Sequence, residues 1–203
     1  MAAAESKINV ICCTAGMPGI YALKLYQICR ICDFLYLGGM EKNYILGPEV
    51  AAKKLKRMAF EILENNIGET RFVLAGIRDS GTVIAHCIQD LLLEIAGLKT
   101  ELITISLDKK NPKSVTVDRQ LDYSQKVILL IDDVSNSGKT LLYALKPFLD
   151  SDPKKIQTLV LVERSHNAFP VKPDYVGLSV ATTLQEHIYV EVEGKKVKGA
   201  WLE

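Results

Sequence analysis

Residues 126–149 read KVILLIDDVSNSGKTLLYALKPFL. An apolar run bounded by turn formers, such as VILLI here, suits a strand covered on both faces. Such strands belong to parallel sheets with helices packed above and below. The run passes through a turn rich in hydroxyls into a stretch that reads as a helix, so strand, turn and helix follow in the order of an α/β unit. The turn ends in Gly138-Lys139-Thr140, the ending of the G-x-x-x-x-G-K-[ST] phosphate loop. The position where that loop needs its first glycine holds Asp133, with Asp132 beside it.

The alternation continues on both sides. Pro48 to about Asn65 is helical, with Ala51, Leu55, Met58 and Ile62 on one face and the proline suited to the first turn. RFVLAGI (71–77) reads as a buried strand. A helix with Ile84, Cys87, Ile88, Leu91 and Ile95 as its stripe follows and ends at Gly97. ELITISL (101–107), KVILLID (126–132), IQTLVLVE (156–163), DYVGLSV (174–180) and HIYVEVE (187–193) are further strands, and KVKGAWL closes a terminal hairpin. A helix from about Lys139 to Leu149 follows the third strand, and residues 108–125 form a long polar loop without helical period. The class is α/β: a mostly parallel sheet flanked by helices, with a small C-terminal hairpin. Ligands of such sheets bind beyond the carboxyl ends of the strands, where Arg78-Asp79-Ser80-Gly81 and residues 132–140 both fall.

Composition bounds the class further. At 203 residues and a net charge of +1, the chain suits one globular domain, without the basic excess of a general nucleic-acid binder. No clean apolar run of membrane-spanning length is present. Cys12, Cys13, Cys29 and Cys32 lie in the first forty residues. Cys29-Arg-Ile-Cys32 is a C-x-x-C without a second pair at metal-site spacing, which favours reduced, unpaired thiols over zinc. Residues 1–39 lack a sustained period, and the pattern becomes regular after Gly38-Gly39-Met40. Residues 40–203 are therefore expected to form the functional domain, with 1–39 as an appendage.

The turn and the two acids suggest a ligand. Ser135, Asn136, Ser137, Gly138, Lys139 and Thr140 offer hydroxyls, a permissive glycine and backbone N–H groups at a helix start, a cradle for one phosphate monoester. Adjacent carboxylates at the end of a buried strand repel one another unless something binds them, and vicinal hydroxyls can donate to each. A phosphate and a diol at this separation describe a ribose 5-phosphate.

VILLIDDVSNSGKT is similar to the signature of the type I phosphoribosyltransferases, which bind phosphoribosyl pyrophosphate (PRPP). The resemblance implies that fold, with a small hood. It also implies that Asp132 and Asp133 hold the ribose hydroxyls, and that Val134 and the loop Ser135–Thr140 bind the 5-phosphate. Arg78, Asp79, Ser80 and Gly81 resemble the family's pyrophosphate loop. From about Ile45 onward the chain is most similar to the bifunctional pyrimidine-operon attenuation regulators with uracil phosphoribosyltransferase activity. AGIRDSG, LVLVERSHNAFPVKPDYVG and a closing TT-x-x-E fall in that family's order.

Several further assignments follow from the resemblance alone. Lys172–Gly177 is similar to a segment of hypoxanthine-guanine phosphoribosyltransferases, which would place Tyr175 and the Val176 backbone against the base; a core-packed Tyr175 is the alternative. Those purine enzymes carry an acid where this chain has Asn136, and a lysine where it has Glu163. The resemblance therefore favours uracil or a related pyrimidine over hypoxanthine or guanine, with Glu163 at the base. The family's lid arginine is replaced in Ser106-Leu107-Asp108-Lys109-Lys110, where Lys109 or Lys110 would supply the charge. The implied catalytic set is Asp132, Asp133, Arg78 and Lys109, with Mg2+ carried by PRPP rather than by a dedicated metal site. The implied setting is cytoplasmic nucleotide salvage, as a homo-oligomer.

A second reading is an RNA-binding attenuator. Lys53, Lys56 and Arg57 lie opposite the apolar stripe of the first helix, with Phe60 on the same outward side. Such a phenylalanine can stack on an unpaired base of an mRNA leader or bury itself in a subunit contact.

Overall fold

The computed structural model describes residues 42–108, 111–112, 114–181 and 186–203. Two sheets organise them. The larger has six strands in the order β4-β3-β2-β5-β6-β7. β2 (Phe72–Ile77), β3 (Glu101–Leu107), β5 (Val127–Ser135), β6 (Lys155–Arg164) and β7 (Tyr175–Val180) pair in parallel, and the short β4 (Val115–Val117) adds an antiparallel edge beside β3. The smaller sheet is antiparallel and joins β1 (Asn43–Leu46), β9 (Lys196–Leu202) and β8 (Ile188–Glu193) in that order.

Both faces of the central strands are buried, which explains their unbroken apolar runs. On one face Leu74, Leu129, Ile131, Leu159 and Leu161 pack with the stripes of α1 (Pro48–Asn65) and α2 (Ser80–Ala96) and with Val197 and Ala200 of the smaller sheet. On the other, Val73, Ala75, Ile128, Leu130 and Val160 pack with Leu141, Ala144, Phe148 and Tyr123. Burial of this kind stabilises by roughly 25 cal/mol per Å² of apolar surface, so alternate residues of one strand feed two separate cores.

The structure agrees with the expected α/β class and departs from the sequence reading in four places. The helix expected over 139–149 is two short ones, α3 (Lys139–Ala144) and α4 (Lys146–Leu149). Pro147 in the first turn of α4 accounts for the break, because it has no N–H to continue α3 and restricts the residue before it. The polar segment 108–125 is not structureless: it contains β4, and Tyr123 is buried with its ring edge-on to Phe148 at 4.9 Å. The terminal hairpin is a three-stranded sheet because β1, only four residues long, pairs with β9. β5 runs on to Ser135, so both acids lie inside the strand.

The expected N-terminal appendage, its four cysteines and the lid lysines Lys109 and Lys110 lie outside the described residues. Among the described residues, no helix is long and apolar enough to cross a membrane.

Candidate active site

β5 places the two acids at the carboxyl end of the sheet. Asp132 pairs with Val160 and Ser135 with Glu163 in the β6 register, so the ladder holds the backbone on either side of Asp133. Asp132 is 1% exposed and Asp133 half-buried. Each carboxylate accepts the N–H of the next residue: Asp133 N donates to Asp132 Oδ1 at 2.9 Å, and Val134 N to Asp133 Oδ1 at 2.9 Å. These bonds fix both carboxylates against their own strand. Ser135 is 3% exposed, and its Oγ has no hydrogen-bond partner among the described residues.

Beyond the strand, Asn136 is exposed and Ser137 half-buried, and Gly138 turns the chain with φ +77°. The turn is held from outside. Ser137 O accepts the N–H groups of Ala168 (3.1 Å) and Phe169 (3.0 Å), and a Cβ on Gly138 would stand 2.7 Å from Val171 O. Only glycine fits there, on grounds of both conformation and space. Lys139 N points at Ser137 Oγ at 3.4 Å as α3 begins. Residues 132–141 line a cleft of about 300 Å³.

The 78–81 turn joins the acids from the neighbouring strand. β2 and β5 are adjacent and in register, Gly76 opposite Ile131. Asp79 has φ 72° and ψ −119°, a conformation that costs a non-glycine residue on the order of 1–3 kcal/mol. A Cβ on Gly81 would lie 2.9 Å from Ile131 O and 3.3 Å from Asp132 Cα. The turn therefore abuts the base of the acid pair, with Arg78 and Asp79 exposed at its tip.

Of the expected site residues, the structure brings together 132–140 and 78–81. Glu163 lies at the same end of the sheet, 7% exposed, accepting Ser179 Oγ at 3.3 Å. Tyr175 is placed elsewhere. Its side chain is 1% exposed in the core shared with α1, and its hydroxyl accepts from Gln157 Nε2 (2.8 Å) and Asn66 Nδ2 (3.4 Å). It sits at the start of β7, away from the strand ends that line the cleft, so the core placement replaces the base contact. Val176 O is occupied as well, by Arg57 Nη2 at 2.6 Å.

Two residues that sequence reasoning passed over enter the site. Ile188, the first residue of β8, lines the cleft alongside residues 132–141. The alternation of HIYVEVE carries this signal, since it puts Ile188 on the same inward face as Val190 and Val192. Arg164, the last residue of β6, is 6% exposed and donates from Nη1 to Asn136 Oδ1 at 3.0 Å. A charge at the end of an apolar strand was its only mark in the sequence.

A six-stranded sheet, an acid pair near the carboxyl end of β5, a glycine-turned hydroxyl loop and a second loop abutting the acids are the features of a phosphoribosyltransferase fold. The family model described as phosphoribosyl transferase domain matches residues 46–193, and the chain belongs to that family. It is 37% identical over 163 residues to the bifunctional protein PyrR of Clostridium acetobutylicum, covering 75% of this chain and 92% of that protein. Against the bifunctional protein PyrR of Halalkalibacterium halodurans it is 35% identical over 165 residues, covering 74% and 92%. Among solved structures, the hypoxanthine phosphoribosyltransferase of Trypanosoma cruzi superposes with a TM-score of 0.66, covering 80% of this chain and 98% of that one at 14% identity. At that identity the likeness establishes the fold alone.

Proposed function

We propose that the protein transfers the 5-phosphoribosyl group of PRPP to a free pyrimidine, uracil best, with release of pyrophosphate. The observation that carries this reading is the Asp132–Asp133 pair, each carboxylate pinned by a backbone N–H beside the loop 135–140. The pinned acids would each accept from one ribose hydroxyl. The loop's N–H and hydroxyl groups would hold the 5-phosphate, and Arg78 with the 78–81 backbone would face the pyrophosphate.

In the reaction the base nitrogen forms a bond to ribose C1 while the C1–O bond to pyrophosphate breaks. The electron pair departs on pyrophosphate, and the proton of the base nitrogen passes to solvent. No side chain need form a covalent bond to the substrate. The protein's contribution is to align the two ends of the sugar and to stabilise developing charge.

A divalent cation suits this site when PRPP brings it. Among the described residues no cluster of three or more metal-ligating side chains exists, and Asp132 and Asp133 are the carboxylates that line the cleft. Mg2+ bound by pyrophosphate and ribose oxygens would offset the leaving group's charge.

RNA binding through α1 has less support. Arg57 pairs with Glu61 of its own helix and with the carbonyls of Val176 and Gly177, and Lys56 lies 4.0 Å from Glu94. Phe60 stays 43% exposed, which a stacked base or a second subunit would each explain. The experiment is PRPP- and Mg2+-dependent pyrophosphate release across a panel of free bases. Release with uracil above hypoxanthine, lost in Asp133→Asn, is expected. Tight PRPP binding with no turnover on any base would refute the enzyme reading.

A further inference from the structure

We propose that Arg164 is a positioning residue for base choice: it holds the carbonyl oxygen of Asn136, so that the amide NH2 faces the cleft. The inference rests on the phosphoribosyltransferase reading above and deepens it. Arg164 closes β6 and is 6% exposed, and its Nη1 donates to Asn136 Oδ1 at 3.0 Å. A guanidinium offers donors only, so the amide must turn its oxygen toward it; the rotated amide would set N–H against N–H. The chain around Asn136 is anchored as well. Ser135 lies in the β5–β6 ladder, and Ser137 O is held by the N–H groups of Ala168 and Phe169. With backbone and oxygen both fixed, what Asn136 can present to a ligand in the cleft is a pair of N–H donors.

That polarity discriminates between bases. A 2-oxopyrimidine reacting through N1 carries a carbonyl oxygen on the adjacent carbon, an acceptor for an amide donor. A 6-oxopurine reacting through N9 carries N7–H across its five-membered ring, a donor that must also lose its proton during transfer. Asn136 turned this way complements the first and opposes the second, and as an amide it cannot take the proton. Specificity of this kind arises because a donor that the bound base covers without matching is left without a partner. Arg164 need not touch the base to impose it.

The test is a double-mutant cycle on nucleotide binding, which needs no turnover. UMP and 9-deaza-IMP share ribose 5-phosphate, and the deaza nucleotide keeps the N7–H donor that IMP itself has lost, so the ratio of their dissociation constants, measured by calorimetry on the full chain, isolates the base. The wild type is expected to favour UMP by tenfold or more. Asn136→Ala and Arg164→Gln should each reduce that preference roughly tenfold, the worth of one oriented hydrogen bond. The double variant should lose no more than the larger single effect. If Arg164→Gln does not fold, Arg164→Lys takes its place in the same cycle, because it keeps the buried charge but lacks the planar fork. Additive losses, an unmoved preference in the Arg164 variant, or a wild type that favours 9-deaza-IMP would each overturn the proposal. A wild type that binds neither nucleotide nor PRPP would instead overturn the phosphoribosyltransferase reading.

Discussion

Replacing Tyr175 by Phe separates a core residue from a base-binding one. The substitution keeps the buried ring and removes the hydroxyl that accepts from Gln157 Nε2 at 2.8 Å and Asn66 Nδ2 at 3.4 Å. Asn66 stays satisfied, because the same nitrogen donates to Ile62 O at 2.8 Å and Gln157 Oε1 at 2.9 Å. Gln157 Nε2 loses its acceptor, and as the residue is only half-buried the penalty falls at the low end, about 1 kcal/mol. For a domain of this size that lowers the melting midpoint by about 2–4 °C. Tyr175→Ala, which also empties the ring's place in the core, should cost about 3–5 kcal/mol. Urea unfolding followed by the single tryptophan, Trp201, reports the stability, and initial rates against base concentration report the KM. Tyr175→Phe is expected to lose stability with an unchanged KM for the base. A raised KM at unchanged stability would refute the placement of Tyr175 in the core.

Two further outcomes follow from the same structure. Gly138→Ala imposes a side chain at φ +77°, with its Cβ 2.7 Å from Val171 O. Left-handed backbone alone costs about 1–2 kcal/mol, and the turn must shift to relieve the contact, so PRPP affinity measured by titration should fall at least tenfold. A variant that binds PRPP like the wild type would show that the turn does not hold the phosphate. Burial first, and then the charge of Asp90, push the Cys87 thiol above its ordinary pKa. Its reactive thiolate is therefore scarce at neutral pH, and alkylation followed by peptide mass spectrometry should be slow near pH 7.5 in the folded protein and accelerate on unfolding. Equal labelling of folded and unfolded chains at neutral pH would contradict this.

The parts of the fold legible in the sequence were those governed by local pattern. The stripe Ala51, Leu55, Met58, Ile62 marked α1, and the apolar runs of β2, β5 and β6 marked strands buried on both faces. β1 was not legible, since its four residues are too short to carry a period and become a strand only by pairing with β9. The extension of β5 through Asp132 and Asp133 escaped for a related reason. Acids have low strand propensity, and the β6 ladder decides the matter instead. The acid pair and its loop were readable because they are contiguous. Ile188 lines the same cleft and Arg164 bonds to its Asn136, both from distant strands, and Tyr175 was left between base and core because a short sequence match does not say which way a strand side chain faces.

The motif's two halves are built by different devices, and the difference bears on what each can do. Asp132 and Asp133 lie inside a nine-residue strand, with their carboxylates tied to the next N–H and the backbone tied to β6. The acid pair can therefore move only if the sheet moves. The hydroxyl loop has no such frame, because α3 is only six residues long. Its order comes instead from the segment after β6, through the bonds of Ala168 and Phe169 to Ser137 and the contact of Val171 with Gly138. That segment continues directly from Arg164, the residue that orients Asn136. On the proposed reading, the acids would fix where C1 of the sugar lies, while one stretch of chain, residues 164–171, would set both the phosphate cradle and the donor offered to the base. A change in that stretch should therefore alter phosphate affinity and base preference together, whereas a change at the acids should weaken binding of every ribosyl ligand alike.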